Sequence, residues 1–140
     1  MRLFLDANIL FSAAYRDASP ATLLFDLEAA GRCNLVTSAF ALDEAHRNIG
    51  LKRPERLPML ETLTGRLQHS PVPDAEAVAA ASAWGLPDKD APILTAAIVA
   101  EAEILVTGDR THFGHLYGKQ TGRLRVLTLA DTLACLVGTE

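Results

Sequence analysis

Arg2-Leu3-Phe4-Leu5-Asp6-Ala7-Asn8 is a short apolar run stopped abruptly by an acid. A strand covered on both faces carries apolar side chains at successive positions, so this run reads as a buried parallel strand. Asp6-Ala7-Asn8 then leads into Ile9-Leu10-Phe11, read as a short helical turn. Ser19 and Pro20 read as an N-cap and first helical residue, followed by Leu23, Leu24, Leu27 and Ala30 at helical spacing, with Gly31 as the stop. Leu35-Val36-Thr37 reads as a second strand, and Ser38 as the cap of a helix over 39–49 ended by Gly50. Pro54 opens a helix over roughly 55–68. Ser70-Pro71-Val72-Pro73 is extended, with room for a short strand, and Asp74 caps a helix from Ala75 to Trp84 that Gly85-Leu86-Pro87 breaks. Asp88-Lys89-Asp90 starts a helix reaching Ala102 that is apolar almost all round, the mark of a buried helix. Ile104-Leu105-Val106-Thr107 is a strand, 110–122 a loop, Arg125-Val126-Leu127-Thr128 the last strand, and Leu129 to Val137 a helix capped by Thr128.

Strands that alternate with helices imply a parallel sheet with helices on both faces. Ligands of such sheets gather at the carboxyl ends of the strands, and Asp6 and Asp109 each stand at such an end. The 140 residues, 49% hydrophobic and 21% charged, fit one domain over 1–140 that buries a core without disulfide or zinc staples. That composition excludes a disordered chain, and no apolar run approaches the roughly 20 residues that cross a bilayer. Asp6 interrupts the first apolar stretch too early for a secretory signal, so the expectation is a soluble cytoplasmic protein. The net charge of −4 argues against a protein that coats nucleic acid by bulk attraction, though not against one that cuts it. Cys33 and Cys135 form no CxxC and read as small buried hydrophobes rather than a zinc site.

Four acids carry the chemical question, and each has an ordinary alternative. Asp6 and Asp109 are also natural turn or cap residues, Glu44 a solvated helix-face residue, and Asp90 an acid complementing a helix N-terminus. Taken together they read differently. Adjacent parallel strands lie only about 4.8 Å apart, so acids at neighbouring strand ends repel unless a cation lies between them. An all-oxygen donor set without a His/Cys pair suits Mg²⁺ or Mn²⁺.

Leu5-Asp6-Ala7-Asn8-Ile9-Leu10 with Ser12, Thr37-Ser38 followed by Glu44, Asp88-Lys89-Asp90-Ala91-Pro92-Ile93-Leu94, and Leu105-Val106-Thr107-Gly108-Asp109-Arg110 with Phe113 occur in one order over about 2–130. In these pieces the chain resembles PIN-domain ribonucleases, specifically the VapC-like toxins of bacterial toxin–antitoxin pairs. The resemblance implies a three-layer α/β/α fold with a central parallel sheet of four or five strands. It implies metal-dependent endonucleolytic cleavage of single-stranded RNA, with Asp6, Glu44, Asp90 and Asp109 as catalytic and metal-binding residues and one or two Mg²⁺ or Mn²⁺ ions as cofactor. Asn8 then orients Asp6, and Thr107 braces the loop that holds Asp109. A small antitoxin and a homodimer are the implied partners. Many family members carry a further Asp or Asn just past the position of Asp109, where this chain has Thr111 and His112. The resemblance therefore leaves one tightly held ion, with a second arriving on the RNA phosphate or His112 as a replacement ligand.

The densest basic stretch is His46-Arg47-Asn48 with Lys52, Arg53 and Arg56. It reads either as a solvated surface or as a phosphate track, with Arg47, Lys52, Arg53 and Arg110 as RNA-binding candidates and Lys119, Arg123 and Arg125 as extensions. His69 and His115 read as surface residues, Ser12 as a small packing residue and Trp84 as a core or helix-end residue. With five Phe, two Tyr and one Trp, no base-stacking platform is evident. Two alternatives stand beside the nuclease: a catalytically weak PIN-like domain that binds RNA or protein, and a phosphohydrolase of the haloacid-dehalogenase type. The latter needs an acid where the chain has Asn8. A nuclease acting on DNA structures is a further possibility on which the sequence is silent.

Overall fold

Leu3, Phe4 and Leu5 are fully buried, as are Ile104, Leu105 and Val106, and these two strands form the middle of the molecule. A computed structural model describes residues 1–71, 75, 76, 79, 91–121 and 123–138. In chain order these form β1 (Arg2–Leu5), α1 (Ala7–Tyr15), α2 (Thr22–Ala29), β2 (Asn34–Thr37), α3 (Ala39–Lys52), α4 (Leu57–Thr64), β3 (Gln68–His69), α5 (Ala91–Val99), β4 (Ile104–Val106), α6 (Arg110–Phe113), β5 (Gln120–Thr121), β6 (Leu124–Leu127) and α7 (Leu129–Val137). The sheet order is β3-β2-β1-β4-β6-β5. The first five of these strands run parallel, and β5 pairs antiparallel with β6 at the edge. Helices cover both faces, giving the three-layer α/β/α fold with a five-stranded parallel centre. α1 packs on α3 and α4, α2 on β2, α5 on β4 and α3, and α7 on β4.

This order has a functional consequence. From β1 the chain moves to β2 and β3 on one side, then returns to β4 on the other side and continues outward to β6. β1 and β4 are therefore neighbours whose onward connections leave in opposite directions, which opens a crevice above their carboxyl ends.

Several elements differ from the sequence reading. α1 is a nine-residue helix rather than a short turn. Ala13 and Ala14 continue the buried stripe of Ile9 and Leu10, so small residues extend a face that larger ones begin. Ser19 does not cap α2; its hydroxyl donates to the Ser12 carbonyl at 3.0 Å, and Ser12 itself is exposed rather than packed. Gly50 does not end α3, which runs to Lys52. The terminator is Pro54, which excludes the helical region for the residue before it and leaves Arg53 at φ −148° and ψ 72°. A short strand forms at Gln68–His69, just ahead of the extended stretch 70–73, of which 72 and 73 lie outside the described residues. The stretch read as a loop over 110–122 holds α6, a 3-10 turn over Gly114–Leu116 and the edge strand β5. The expected Asp74 cap, the break at Gly85-Leu86-Pro87, Trp84 and the start of the helix at Asp88-Lys89-Asp90 lie outside the described residues. No described helix is long and apolar enough to cross a membrane.

Gly31 does end α2, at φ +77°, whereas Gly50 is helical and a Cβ there would meet open space. Gly50→Ala should therefore raise stability by about 1 kcal/mol, and Gly31→Ala should lower it by a similar amount. Urea midpoints of the two variants against the parent check both signs.

Candidate active site

The register of β1 on β4 sets the site. Leu5 lies opposite Val106, and the Asp6 amide donates to the Val106 carbonyl at 3.1 Å. The next positions outward are Asp6 and Thr107, side by side above the crevice. The Thr107 hydroxyl donates to Asp6 Oδ2 at 2.7 Å, and Asp6 Oδ1 accepts from the Ala7 amide at 2.7 Å. Asp6 is thus both the residue that ends β1 and the N-cap of α1, where its carboxylate complements the helix dipole. It is 6% exposed. A carboxylate this buried requires such donors, and each hydrogen bond to a charged group contributes about 1.5–3 kcal/mol.

Thr107 Oγ1 also accepts from the Asp109 amide at 3.1 Å, and Asn8 Oδ1 accepts from the Gly108 amide at 2.9 Å. Asn8 Nδ2 stands 3.5 Å from Asp6 Oδ2 and 3.4 Å from Thr107 Oγ1. One hydroxyl and one carboxamide therefore tie the turn Thr107-Gly108-Asp109 to the head of α1. Gly108 has no positive φ, and a Cβ there would meet Asn8 Oδ1 at an ordinary 3.6 Å. From β2, on the side of β1 away from β4, the Thr37 hydroxyl closes the other flank of β1 by donating to the Leu5 carbonyl at 3.0 Å.

Glu44 projects from α3, half-buried, into a cleft of about 210 Å³ that it shares with Asn8, Phe11, Asn48 and Lys52. Ser38 caps α3 as expected, accepting from the Ala41 amide at 3.2 Å. The structure thus brings Asp6, Asn8, Thr107 and Asp109 into one hydrogen-bonded group and sets Glu44 on the cleft beside Asn8. Asp90 lies outside the described residues, as do the side chains of Thr111 and His112. Among the described residues, no three His, Cys, Asp or Glu side chains are grouped closely enough to hold a metal ion. The donor chemistry at hand is nevertheless that of Mg²⁺, which binds through one or two carboxylates and completes its shell with water and substrate phosphate.

The basic candidates separate into two kinds. Arg47 and Arg110 are exposed, and Lys52 holds its ammonium 5.4 Å from the Phe11 ring centroid. Arg53 instead donates to the Tyr15 carbonyl at 2.6 Å, and Arg56 to the Ala14 carbonyl at 2.7 Å, so both guanidinium groups cap the end of α1. Arg125 is half-buried against Cys135, while Lys119, Arg123 and His115 are exposed.

Tyr117 is a site residue the sequence reading missed. Its hydroxyl donates to the Thr107 carbonyl at 3.0 Å. Burial raises the phenol above its ordinary pKa; Arg110 draws it back down, while the charges of Asp109 and Asp6 push it up. Nothing local in Leu116-Tyr117-Gly118 announces this contact, which reaches back ten residues across α6 and the 3-10 turn. Asn48 was passed over too, although its spacing of four from Glu44 puts both on one helix face.

The PIN domain family model matches residues 2–111. The chain belongs to the PIN domain family. No curated protein matches it. Among solved structures, this PIN domain is similar to PAE2754 of Pyrobaculum aerophilum, with 19% identity, a TM-score of 0.68, and coverage of 99% of this chain and 97% of that one. It is similar to a chain of VapBC2 of Rickettsia felis, a complex solved on a DNA fragment from its promoter, with 19% identity, a TM-score of 0.66, and coverage of 91% and 98%. It is also similar to VapC20 of Mycobacterium tuberculosis, described as a toxin that cleaves the sarcin–ricin loop, with 14% identity, a TM-score of 0.57, and coverage of 88% and 98%. At these identities the likeness is one of fold.

Two outcomes test this geometry. Thr107→Val keeps the shape but removes the hydroxyl shared by Asp6, Asn8 and Asp109, and should lower stability by about 2 kcal/mol in urea unfolding. Because folding raises the Tyr117 pKa, the neutral phenol stabilises the fold fully below the unfolded value near 10 and that contribution is lost as pH rises through the folded value. The melting-temperature advantage of the parent over Tyr117→Phe should therefore shrink above about pH 10.

Proposed function

We propose that this PIN domain is a divalent-metal-dependent endoribonuclease that cleaves single-stranded RNA, and that it is the toxin of a toxin–antitoxin pair. The observation that carries the reading is the pairing of Asp6 with Thr107, and through it with Asp109, at the switch point of the sheet. Asp6 Oδ1 accepts from the Ala7 amide and Oδ2 from the Thr107 hydroxyl, which fixes both oxygens at the head of the crevice, and carboxylate oxygens are the donors a hard divalent cation takes. The residues that would hold Mg²⁺ or Mn²⁺ are Asp6, Asp109, Glu44 and Asp90. A bound ion supplies positive charge against the scissile phosphate and makes water a competent nucleophile near neutral pH.

The chain's own residues then have separable tasks. Thr107 and the α1 N-terminus hold the Asp6 carboxylate in place at the crevice. Asn8 ties the loop of Asp109 to the same helix, so the two carboxylates keep a fixed separation. Glu44 has no hydrogen bond or ion pair within the described residues, which leaves its carboxylate free to orient water or an ion at the cleft wall. Arg47, Lys52 and Arg110 offer charge to the RNA backbone. Arg53 contributes less directly, since its donors hold α1.

Several of the similar structures are complexes, VapBC2 and FitAB among them, which supports an antitoxin partner for this chain. A homodimer and a cytoplasmic location belong to the same reading. The test is cleavage of single-stranded RNA with Mg²⁺ or Mn²⁺. Asp6→Asn, Glu44→Gln and Asp90→Asn should each lower kcat by at least about a hundredfold, and a chelator should abolish turnover. Cleavage that survives both the chelator and Asp6→Asn would overturn the proposal. RNA binding without any cutting would favour the non-catalytic alternative, and phosphate release from small esters the phosphohydrolase.

A further inference from the structure

Glu44, Asn48 and Lys52 are spaced four residues apart on α3, so they line one face of the helix over about 12 Å. All three border the cleft that Asn8 closes at one end and Phe11 lines from α1. Their polar ends face the same space. None makes a hydrogen bond or ion pair within the described residues. By contrast Arg2, Arg32, Arg53, Arg56 and Arg66 each donate to a main-chain carbonyl, at 2.6–3.0 Å. The basic side chains near the fold's interior are thus used to satisfy the backbone, whereas the polar face of α3 toward the cleft is not.

Lys52 is held without being neutralised. Its ammonium lies over the Phe11 ring, and Phe11 in turn packs on Tyr15 with centroids 5.1 Å apart. An aromatic contact fixes the direction of a cation and leaves its N–H donors available. Asn48, between the acid and the lysine, presents a carboxamide that can both donate and accept. Asn8, its neighbour across the cleft, has committed its carbonyl oxygen to Gly108. The cleft therefore has an anionic end against the candidate metal centre, an amide in the middle and a cationic end two helical turns away. That sequence of groups matches a nucleotide: a phosphate at the lysine, and a base edge at the amide.

We propose that the α3 face of Asn48 and Lys52, lined by Phe11, is a subsite for the nucleotide next to the scissile phosphate, with Lys52 taking its phosphate and Asn48 its base edge. The inference rests on the ribonuclease reading above and assigns the direction in which the strand leaves the centre. The experiment measures binding of a labelled single-stranded RNA by anisotropy, with Ca²⁺ replacing Mg²⁺, between about 50 and 200 mM salt. Lys52→Ala should reduce the slope of log K against log salt by about 0.7, and Lys52→Arg should restore it. Arg66→Gln, which removes a charge at the amino end of β3, should leave the slope unchanged. Asn48→Ala should raise KM about tenfold with kcat unchanged and flatten the preference among RNAs that differ at one base. If the parent binds and cuts RNA while Lys52→Ala keeps its slope and Asn48→Ala its KM, the subsite is wrong and the nuclease reading stands. If the parent neither binds nor cuts RNA, both fall together.

Discussion

A buried carboxylate at the end of the central strand governs the architecture of this PIN domain. Asp6 terminates β1, starts α1 and receives the Thr107 hydroxyl from the neighbouring strand end. An acid so buried is tolerable only with donors on its oxygens, and the fold supplies them from three directions: the strand before it in space, the helix after it in sequence, and the Asn8 side chain. The Thr107 hydroxyl gives its proton to Asp6 and receives the Asp109 amide, so the position of one acid determines the position of the other.

Helix α1 is the part on which this rigidity depends, and its two ends are satisfied by opposite charges. The Asp6 carboxylate accepts from its first amide, while Arg53 and Arg56 donate to the carbonyls of Tyr15 and Ala14 in its last turn. A nine-residue helix is too short to be stable alone in water, so these terminal contacts and its packing on α3 and α4 decide its existence. Arg56 is further anchored by Asp17 at 2.7 Å, with the arginine side chain largely covered and the aspartate open to solvent. That bridge adds little by itself; the carbonyl contacts of the same guanidinium matter more, because they satisfy groups that the helix end leaves open.

The legible part of this fold was the part written in contiguous residues. Leu3-Phe4-Leu5 and Ile104-Leu105-Val106 are recognisable as buried strands because burial on both faces removes the alternation that a half-exposed strand shows. Ser38 and Thr128 were readable as caps because capping is local chemistry, and both accept the expected amides. The misreadings share a cause. Gly50 looked like a stop because glycine often is one, yet the stop was enforced four residues later by the effect of Pro54 on Arg53. The two-residue strand β5 carries no periodicity to detect; it exists because β6 offers it an edge. Tyr117 and the arginine caps escaped because their partners lie far along the chain. Arg56 reaches a carbonyl 42 positions away, so a basic run that resembled a phosphate track is in part internal scaffolding.

The same distinction bears on how a net charge of −4 can accompany the proposed site for a polyanion. Overall charge is a poor guide where the cations differ in availability. The arginines bound to main-chain carbonyls keep their charge but have surrendered geometry, since a planar fork committed to a helix end cannot also grip a phosphate bidentately. Lys52, a point charge with three rotatable donors over a ring, retains that freedom, as do the exposed Arg47 and Arg110. Under the proposed ribonuclease reading, attraction of an RNA strand depends on a few uncommitted charges close to the crevice rather than on the field of the whole surface. Near Asp6 and Asp109 the local field is negative, so these charges can carry the strand only to the edge of the centre. In that reading its entry would require a cation between phosphate and carboxylates, which would couple substrate access to occupancy of the same crevice.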